Sequence, residues 1–310
     1  MKHLVSIADL SRDSAIALLD NAQELAQVND REVKKLPALR GKTVVNLFFE
    51  NSTRTRISFE IAAKRLSADV INFAAETSSL SKGESLKDTA QTLEALGADA
   101  IVIRHPMSGA AHSLAHRGWI NSSVINAGDG QHEHPTQALL DSLTIRQAFD
   151  IKGDLKGLKV LIVGDILHSR VARSNILLLR LLGAEVEVAG PASLIPEGIE
   201  ALGTSVSKSF EDSLSKRPNA VMMLRVQRER MQGDLSMSAK EYTTNWSLGG
   251  SRFESLPKDT IILHPGPMNR GFEISAEAAD DPRSQVLKQV SNGVAVRMAV
   301  LYSCLSGENQ

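Results

Sequence analysis

The stretch Thr43-Val44-Val45-Asn46-Leu47-Phe48-Phe49, followed by Glu50-Asn51-Ser52-Thr53-Arg54-Thr55-Arg56, decides the fold class. The first seven residues, mostly β-branched or aromatic, predict a buried strand over 43–49. After the polar break, Phe59, Ala62, Ala63 and Leu66 fall on one face of a helix over 53–66. A buried strand passing directly into an amphipathic helix is half of a βαβ unit and predicts a parallel sheet.

The same grammar recurs outward. Upstream, Ser11 is placed to cap a helix over 11–26 that aligns Ile16, Leu19, Ala22, Leu25 and Ala26. Downstream, a helix over 86–96 stopped by Gly97 leads to a strand over 100–103. A short helix ending near Gly118, a strand over 123–126 and a helix from Pro135 to Phe149 follow. Lys152-Gly153-Asp154 and Lys156-Gly157 then interrupt the pattern, and a strand over 159–163 restarts it. A helix over 170–182 and strands over 185–189, 220–224 and 260–263 continue the alternation. The expected fold is α/β with two domains, 1–150 and 151–283, each a mainly parallel sheet flanked by helices. The last segment, 284–310, with a helix over 284–305, is expected to pack back on the first domain.

Composition agrees with a globular chain. Its 310 residues exceed the size at which one core stops growing, and 42% hydrophobic with 23% charged residues is ordinary for a folded protein. A formal net charge of −1 gives no global field for nucleic acid or an anionic membrane, so anion binding must come from locally placed Arg and Lys. Cys304 is the single cysteine, which rules out an intrachain disulfide and suits a reducing, cytoplasmic setting. The richest apolar run, Ile176 to Leu182, is short and broken by Arg180, so no membrane span is expected.

In open parallel sheets ligands sit beyond the carboxyl ends of the strands, so the residues there carry the functional reading. Ser52-Thr53-Arg54-Thr55 combines hydroxyls and a guanidinium at a helix start, where N–H groups and the dipole favour an anion. Cations in a first turn oppose that dipole by roughly 0.3–1 kcal/mol, a conflict that a bound phosphate reverses. Arg104-His105-Pro106 follows the strand over 100–103. Gly128-Asp129-Gly130-Gln131-His132-Glu133-His134-Pro135-Thr136-Gln137 follows the strand over 123–126. His132 and His134 lack a third metal ligand, which favours hydrogen bonding and no metal. His112 and His116, four apart on a helix, lack the glutamate of the zinc-protease motif and read as a solvated face. In the second half, Val163-Gly164-Asp165 lacks the further glycines of a dinucleotide turn, and no Walker loop is present. Arg170, Arg173 and Arg225 leave an arginine-rich crevice suited to carboxylates. Arg228 and Arg230 read as a solvated helix face paired with Glu229.

Four motifs in this order, Phe48 to Glu60, His134-Pro135-Thr136-Gln137, Arg225-Val226-Gln227 and His264-Pro265-Gly266-Pro267, resemble the aspartate carbamoyltransferase catalytic chain across nearly the whole sequence. The resemblance implies the carbamoyltransferase fold, with a carbamoyl-phosphate domain at 1–150 and an aspartate domain at 151–283. It implies transfer of the carbamoyl group to the α-amine of L-aspartate, giving N-carbamoyl-L-aspartate and phosphate in de novo pyrimidine (UMP) biosynthesis. By position, Ser52, Thr53, Arg54 and Thr55 match the phosphate cradle, and Arg104, His134 and Gln137 the ligands of the carbamoyl group and phosphate. Gly266 and Pro267 match backbone groups near the carbamoyl amide. Arg170, Arg225 and Gln227 match the aspartate-binding positions, and Lys82 the mobile-loop lysine lent by a neighbouring subunit of a homotrimer. The loop is one residue shorter than the best-known bacterial pattern, so Ser78 and Ser79 both stand near its functional serine. Gly266 replaces the leucine of the common His-Pro-Leu-Pro form, a change that a backbone contact tolerates.

The implied chemistry needs no cofactor, and larger assemblies with regulatory chains or dihydroorotase are compatible with it. Two alternatives belong beside it. One is an ornithine or other amino-acid carbamoyltransferase, whose late motif in the ornithine family is His-Cys-Leu-Pro, whereas the only cysteine here is Cys304. The other is a non-catalytic, phosphate-sensing paralogue, which would be expected to have lost part of the motif set.

Overall fold

The computed structural model describes residues 1–74, 83–226 and 238–307. The chain forms two compact units, Met1–Leu143 with Val290–Gln310, and Thr144–Gln289. Each is built on a parallel sheet, in agreement with the α/β reading.

In the first unit the strands are β1 (Thr43–Phe48), β2 (Asp69–Ala74), β3 (Ala100–His105) and β4 (Ser123–Asp129), ordered β2-β1-β3-β4. Val44 to Phe48, Ala100 to Ile103 and all of β4 are buried, because crossover helices cover a parallel sheet on its faces and its inner strands become continuous apolar runs. The outer edge of β4 is closed by the N-terminal segment. Leu4 N–H donates to Val124 O at 2.9 Å, and Asn126 N–H donates to Leu4 O at 2.9 Å.

The second unit holds β5 (Lys159–Val163), β6 (Glu185–Ala189), β7 (Ser205–Ser207), β8 (Ala220–Met223) and β9 (Ile261–Leu263), ordered β7-β6-β5-β8-β9 and parallel throughout. Its core gathers Val163, Met223, Ile262, Phe210, Trp246, Tyr242 and Phe272, the last two stacked with centroids 5.2 Å apart.

Two strands lie outside the sequence reading, and both are the outermost of their sheet. Strand β2 alternates Asp69, Asn72 and an Ile71 left 46% exposed with apolar neighbours, while β7 is three residues long, so neither shows the continuous apolar run of a central strand. Strands β3 and β4 also run on to His105 and Asp129, past the expected ends at Ile103 and Asn126, because the ladder resumes at His105↔Asp129 beyond a bulge. The final helix is Val286–Leu305. Among the described residues no helix is long and apolar enough to cross a membrane.

Where β5 and β6 end, the chain passes within a tight space. A Cβ on Gly190 would lie 2.3 Å from the carbonyl oxygen of Gly164, a backbone atom that no rotamer change can move. Gly190→Ala is expected to destabilise the protein by about 1–3 kcal/mol. A urea midpoint unchanged from the parent would refute this.

Candidate active site

A parallel sheet offers one place where successive crossovers leave in opposite directions, and a crevice opens there beyond the strand ends. In the first sheet that place is between β1 and β3. Ser52-Thr53-Arg54-Thr55 follows β1, and Arg104 ends β3 beside it.

The helix Thr53–Arg65 starts unusually. Ser11, Ser85, Ser169, Ser209, Ser238 and Ser275 each cap a helix by accepting an N–H with the hydroxyl, whereas Ser52 sits at the N-cap without that bond. The first turn carries no acid, Thr53 and Arg54 are exposed, and Thr55 is buried. First-turn N–H groups have no intrahelical acceptor, so hydroxyls, amides and a guanidinium all face the crevice end of this helix unopposed by an acidic first-turn residue.

Arg104 is oriented from two sides. Its Nε lies 3.2 Å from Glu50 Oε2, and its Nη1 donates to Ala127 O at 3.1 Å, tying the ends of β3 and β4 together. The His105 ring packs on Phe49 at 4.5 Å between centroids. Burial holds the His105 pKa below the usual imidazole value, against the opposing pull of Glu50 and Asp129. His134 and Gln137 flank the start of the helix Pro135–Ala148, both buried, with Gln137 Nε2 donating to Asp141 Oδ1 at 2.9 Å. That bond fixes the amide so that Oε1 points away from Asp141. The strand ends thus bring Ser52, Thr53, Arg54, Thr55, Arg104, His134 and Gln137 to one edge of one sheet.

The turn that delivers His134 depends on Asp129. Its carboxylate accepts from Gly109 N–H (2.7 Å), the Asn126 amide (2.8 Å) and Glu133 N–H (3.2 Å), and lies 3.2 Å from His132 Nδ1. His132 therefore serves hydrogen bonding, as its sequence context suggested. Gly130 in this turn is irreplaceable for space as well as for its φ of +49°, since a Cβ would meet Ser108 N at 2.6 Å. Among the described residues no group of three or more His, Cys, Asp or Glu could hold a metal ion. His112 and His116 are exposed, their rings tilted against each other with centroids 4.4 Å apart, as a solvated helix face allows.

Sequence reasoning missed Asp129, Asp141 and Arg297 as supports of this edge. Arg297 is buried in the final helix, its guanidinium 5.0 Å from the ring centroid of Phe59 on the helix that Ser52 begins. Burial lowers its pKa to about 9, with Asp141 pulling it back up and Arg104 adding to the depression. The signal was present: one arginine within Val294-Ala295-Val296-Arg297-Met298-Ala299-Val300-Leu301 is a cation in an otherwise apolar helical run.

In the second sheet the crossovers diverge between β5 and β8. Asp165 follows β5 and accepts from His168 N–H at 3.0 Å, which leads to Ser169 as cap and Arg170 as first residue of the helix Arg170–Leu181. Arg225 lies two residues past β8, and Gly266-Pro267, joined by a cis peptide, lies past β9. Arg170, Arg225, Gly266 and Pro267 thus share the carboxyl edge of this sheet. Lys82, Ser78, Ser79, Gln227, Arg228, Glu229 and Arg230 lie outside the described residues.

Comparison with known proteins bears on both edges. Residues 2–147 match the aspartate/ornithine carbamoyltransferase carbamoyl-P binding domain, and residues 156–304 match the Asp/Orn binding domain of the same family. An aspartate carbamoyltransferase catalytic subunit from Pseudarthrobacter chlorophenolicus is 62% identical, over 100% of this chain and 94% of that protein. The chain belongs to the aspartate carbamoyltransferase family. Solved structures of the family carry the same fold. The catalytic subunit of M. jannaschii aspartate transcarbamoylase is 34% identical with a TM-score of 0.86, over 100% of both chains. The Trypanosoma cruzi enzyme in complex with carbamoyl phosphate and aspartate is 31% identical with a TM-score of 0.85, over 98% of this chain and 97% of that one.

Asp129 also makes the edge pH-sensitive. Burial opposes its ionisation, yet the bonds from His132, Asn126 and Gly109 outweigh this and hold its pKa below the usual carboxylate value. A carboxyl so depressed contributes stability above its unfolded pKa of about 3.9 and loses it as pH falls through the lower folded value. Asp129→Asn is expected to cost about 1–3 kcal/mol at pH 7, with the gap to the parent closing as the pH falls below 4. Denaturation at pH 7 and at pH 3 checks it, and a gap that is constant or wider in acid would contradict the assignment.

Proposed function

We propose that this protein transfers the carbamoyl group of carbamoyl phosphate to the α-amine of L-aspartate, a reading supported by relatives named aspartate carbamoyltransferase and by a similar structure in complex with carbamoyl phosphate and aspartate. The observation that carries the reading is the helix start at Ser52-Thr53-Arg54-Thr55, with its disengaged cap hydroxyl and acid-free first turn, beside Arg104 at the crevice of the first sheet.

Carbamoyl phosphate is already activated, so the residues need to position and polarise it. Ser52, Thr53, Arg54 and Thr55 take the phosphate. Gln137, its amide oriented by Asp141, accepts from the carbamoyl NH2 group, and Gly266 and Pro267 offer backbone groups to the same end. Arg170, Arg225, Gln227 and Lys82 take the two carboxylates of aspartate, for which planar guanidinium forks are suited. The α-amine attacks the carbamoyl carbon while Thr55, Arg104 and His134 stabilise the developing oxyanion. The new C–N bond forms, the C–O bond to phosphate breaks, and the departing phosphate carries off the amine proton. Juxtaposing two bound substrates can supply up to roughly 7–11 kcal/mol of the barrier reduction.

Such a product would serve pyrimidine biosynthesis, and a cytoplasmic setting belongs to the same reading. The family resemblance assigns Lys82 to a neighbouring subunit of a homotrimer. Exposed Ile57 and Ile71, on the cradle helix and on the edge strand β2, offer apolar surface for such contacts. Further chains, regulatory or dihydroorotase, are compatible with this unit. The division into a carbamoyl-phosphate domain and an aspartate domain follows the same assignment. An ornithine-specific reading is disfavoured because the arginines of the second half suit a dicarboxylate better than a cationic side chain.

Phosphate release is expected only when carbamoyl phosphate and L-aspartate are both present, and ornithine should not replace aspartate. Arg54→Ala should lower kcat at least about 100-fold, as loss of a transition-state charge contact does, with the melting temperature retained because this side chain is exposed. Full activity in that variant would place the phosphate elsewhere. Sedimentation should give three times the chain mass, and mixing inactive Arg54→Ala with inactive Lys82→Ala subunits should restore turnover. Failure of two well-folded variants to complement would sink the shared site.

A further inference from the structure

Strands β8 and β9 are paired through Met222↔Leu263, and beyond that point their loops have no ladder to keep them in register. A buried polar relay takes over. Glu273, fully buried, accepts with Oε1 from Asn269 N–H at 2.6 Å and lies 3.1 Å from His264 Nε2. His264 Nδ1 accepts from Gly266 N–H at 2.8 Å, so the imidazole proton sits on Nε2 and is donated to Glu273. Asn269 in turn donates through Nδ2 to Val226 O at 3.1 Å. Gln289 Oε1 accepts from His264 N–H at 3.0 Å and anchors the near end. One carboxylate oxygen is therefore the shared acceptor of two arms. The first ends on the N–H of Gly266, and the second ends on the carbonyl that follows Arg225.

We propose that Glu273 is a positioning residue for the alignment of the two substrates, setting the Gly266-Pro267 backbone, on the carbamoyl side, and the Arg225-Val226 backbone, on the aspartate side, at a fixed spacing through His264 and Asn269. The proposal rests on the assignment of Arg225, Gly266 and Pro267 to the substrates. It adds that their alignment is held from below by a group that touches neither substrate. Truncating the carboxylate leaves two buried donors without their acceptor and frees the two loops to shift independently. Misplacement of a substrate-binding group is felt in substrate affinity and alignment even when the fold persists.

Steady-state kinetics of full-length variants test this. Glu273→Ala, which releases both arms, is expected to raise KM for L-aspartate roughly tenfold or more and KM for carbamoyl phosphate several-fold. Glu273→Gln, which keeps an acceptor oxygen for both donors, should bring KM for aspartate back to within about threefold. Asn269→Ala removes only the arm to Val226 and should raise KM for aspartate several-fold, with KM for carbamoyl phosphate within about twofold of the parent and a near-parental melting temperature. If Glu273→Ala does not fold, Asn269→Ala decides. The proposal is overturned if the folded variants keep the parental KM for aspartate, or if both KM values rise together in Asn269→Ala, which would mean general loosening. Arg225→Ala serves as the reference: an unchanged aspartate KM there would instead remove the half-site assignment on which the proposal stands.

Discussion

Everything functional in this chain follows from the way each parallel sheet must be threaded. Parallel strands need crossovers, crossovers put helices on the faces, and the order β2-β1-β3-β4 and the order β7-β6-β5-β8-β9 each force two crossovers to part company once. At the parting the strand ends are left without a covering loop. The residues that follow β1 and β3, and those that follow β5 and β8, are the ones for which polar side chains and helix N-termini can be exposed without disrupting a core.

The two edges solve the same problem by different means. At the first, the proposed functional groups are side chains and first-turn amides of a helix start, with buried charged residues behind them. Burial depresses the Arg297 pKa, with Asp141 pulling it back up and Arg104 adding to the depression, so the three charges act on one another. An arginine so deep, against Phe59 of the cradle helix, links the final helix to the element that Ser52 begins. At the second edge, part of the proposed contact surface is backbone, and backbone cannot be oriented by a rotamer. It has to be held, which is the part played by the buried bonds among His264, Glu273 and Asn269.

Most of the architecture was legible because inner strands of parallel sheets are apolar on both sides, and runs such as Thr43 to Phe49 or Lys159 to Val163 carry that mark. The outer strands β2 and β7 do not, since one side of each meets solvent or nothing, and Asp69, Asn72 and the serines of β7 are acceptable there. The candidate site was legible where a residue broke a local rule: arginines at the positive end of a helix, or hydroxyls and histidines crowded after a strand. It was illegible where the partner was distant in sequence. Glu273 next to Phe272 reads as an ordinary surface acid until the fold places it against His264, and Asp129 reads as a turn residue until Gly109 and Asn126 converge on it.

That contrast bears on how the two halves can vary. Groups proposed at an exposed helix start are specified by their own identity, so a change at the exposed Arg54 would alter the chemistry directly and little else. Groups held through backbone are specified by their supports, so the identity of residue 266 is free to be glycine as long as its N–H still reaches His264. A leucine position that becomes glycine would be hard to reconcile with a site if its side chain were the contact. With a backbone carbonyl as the proposed contact and the Gly266 N–H held by a buried histidine, the substitution removes nothing the reaction would use, and the burden of constraint passes to Glu273 and Asn269, which no motif reading would have singled out.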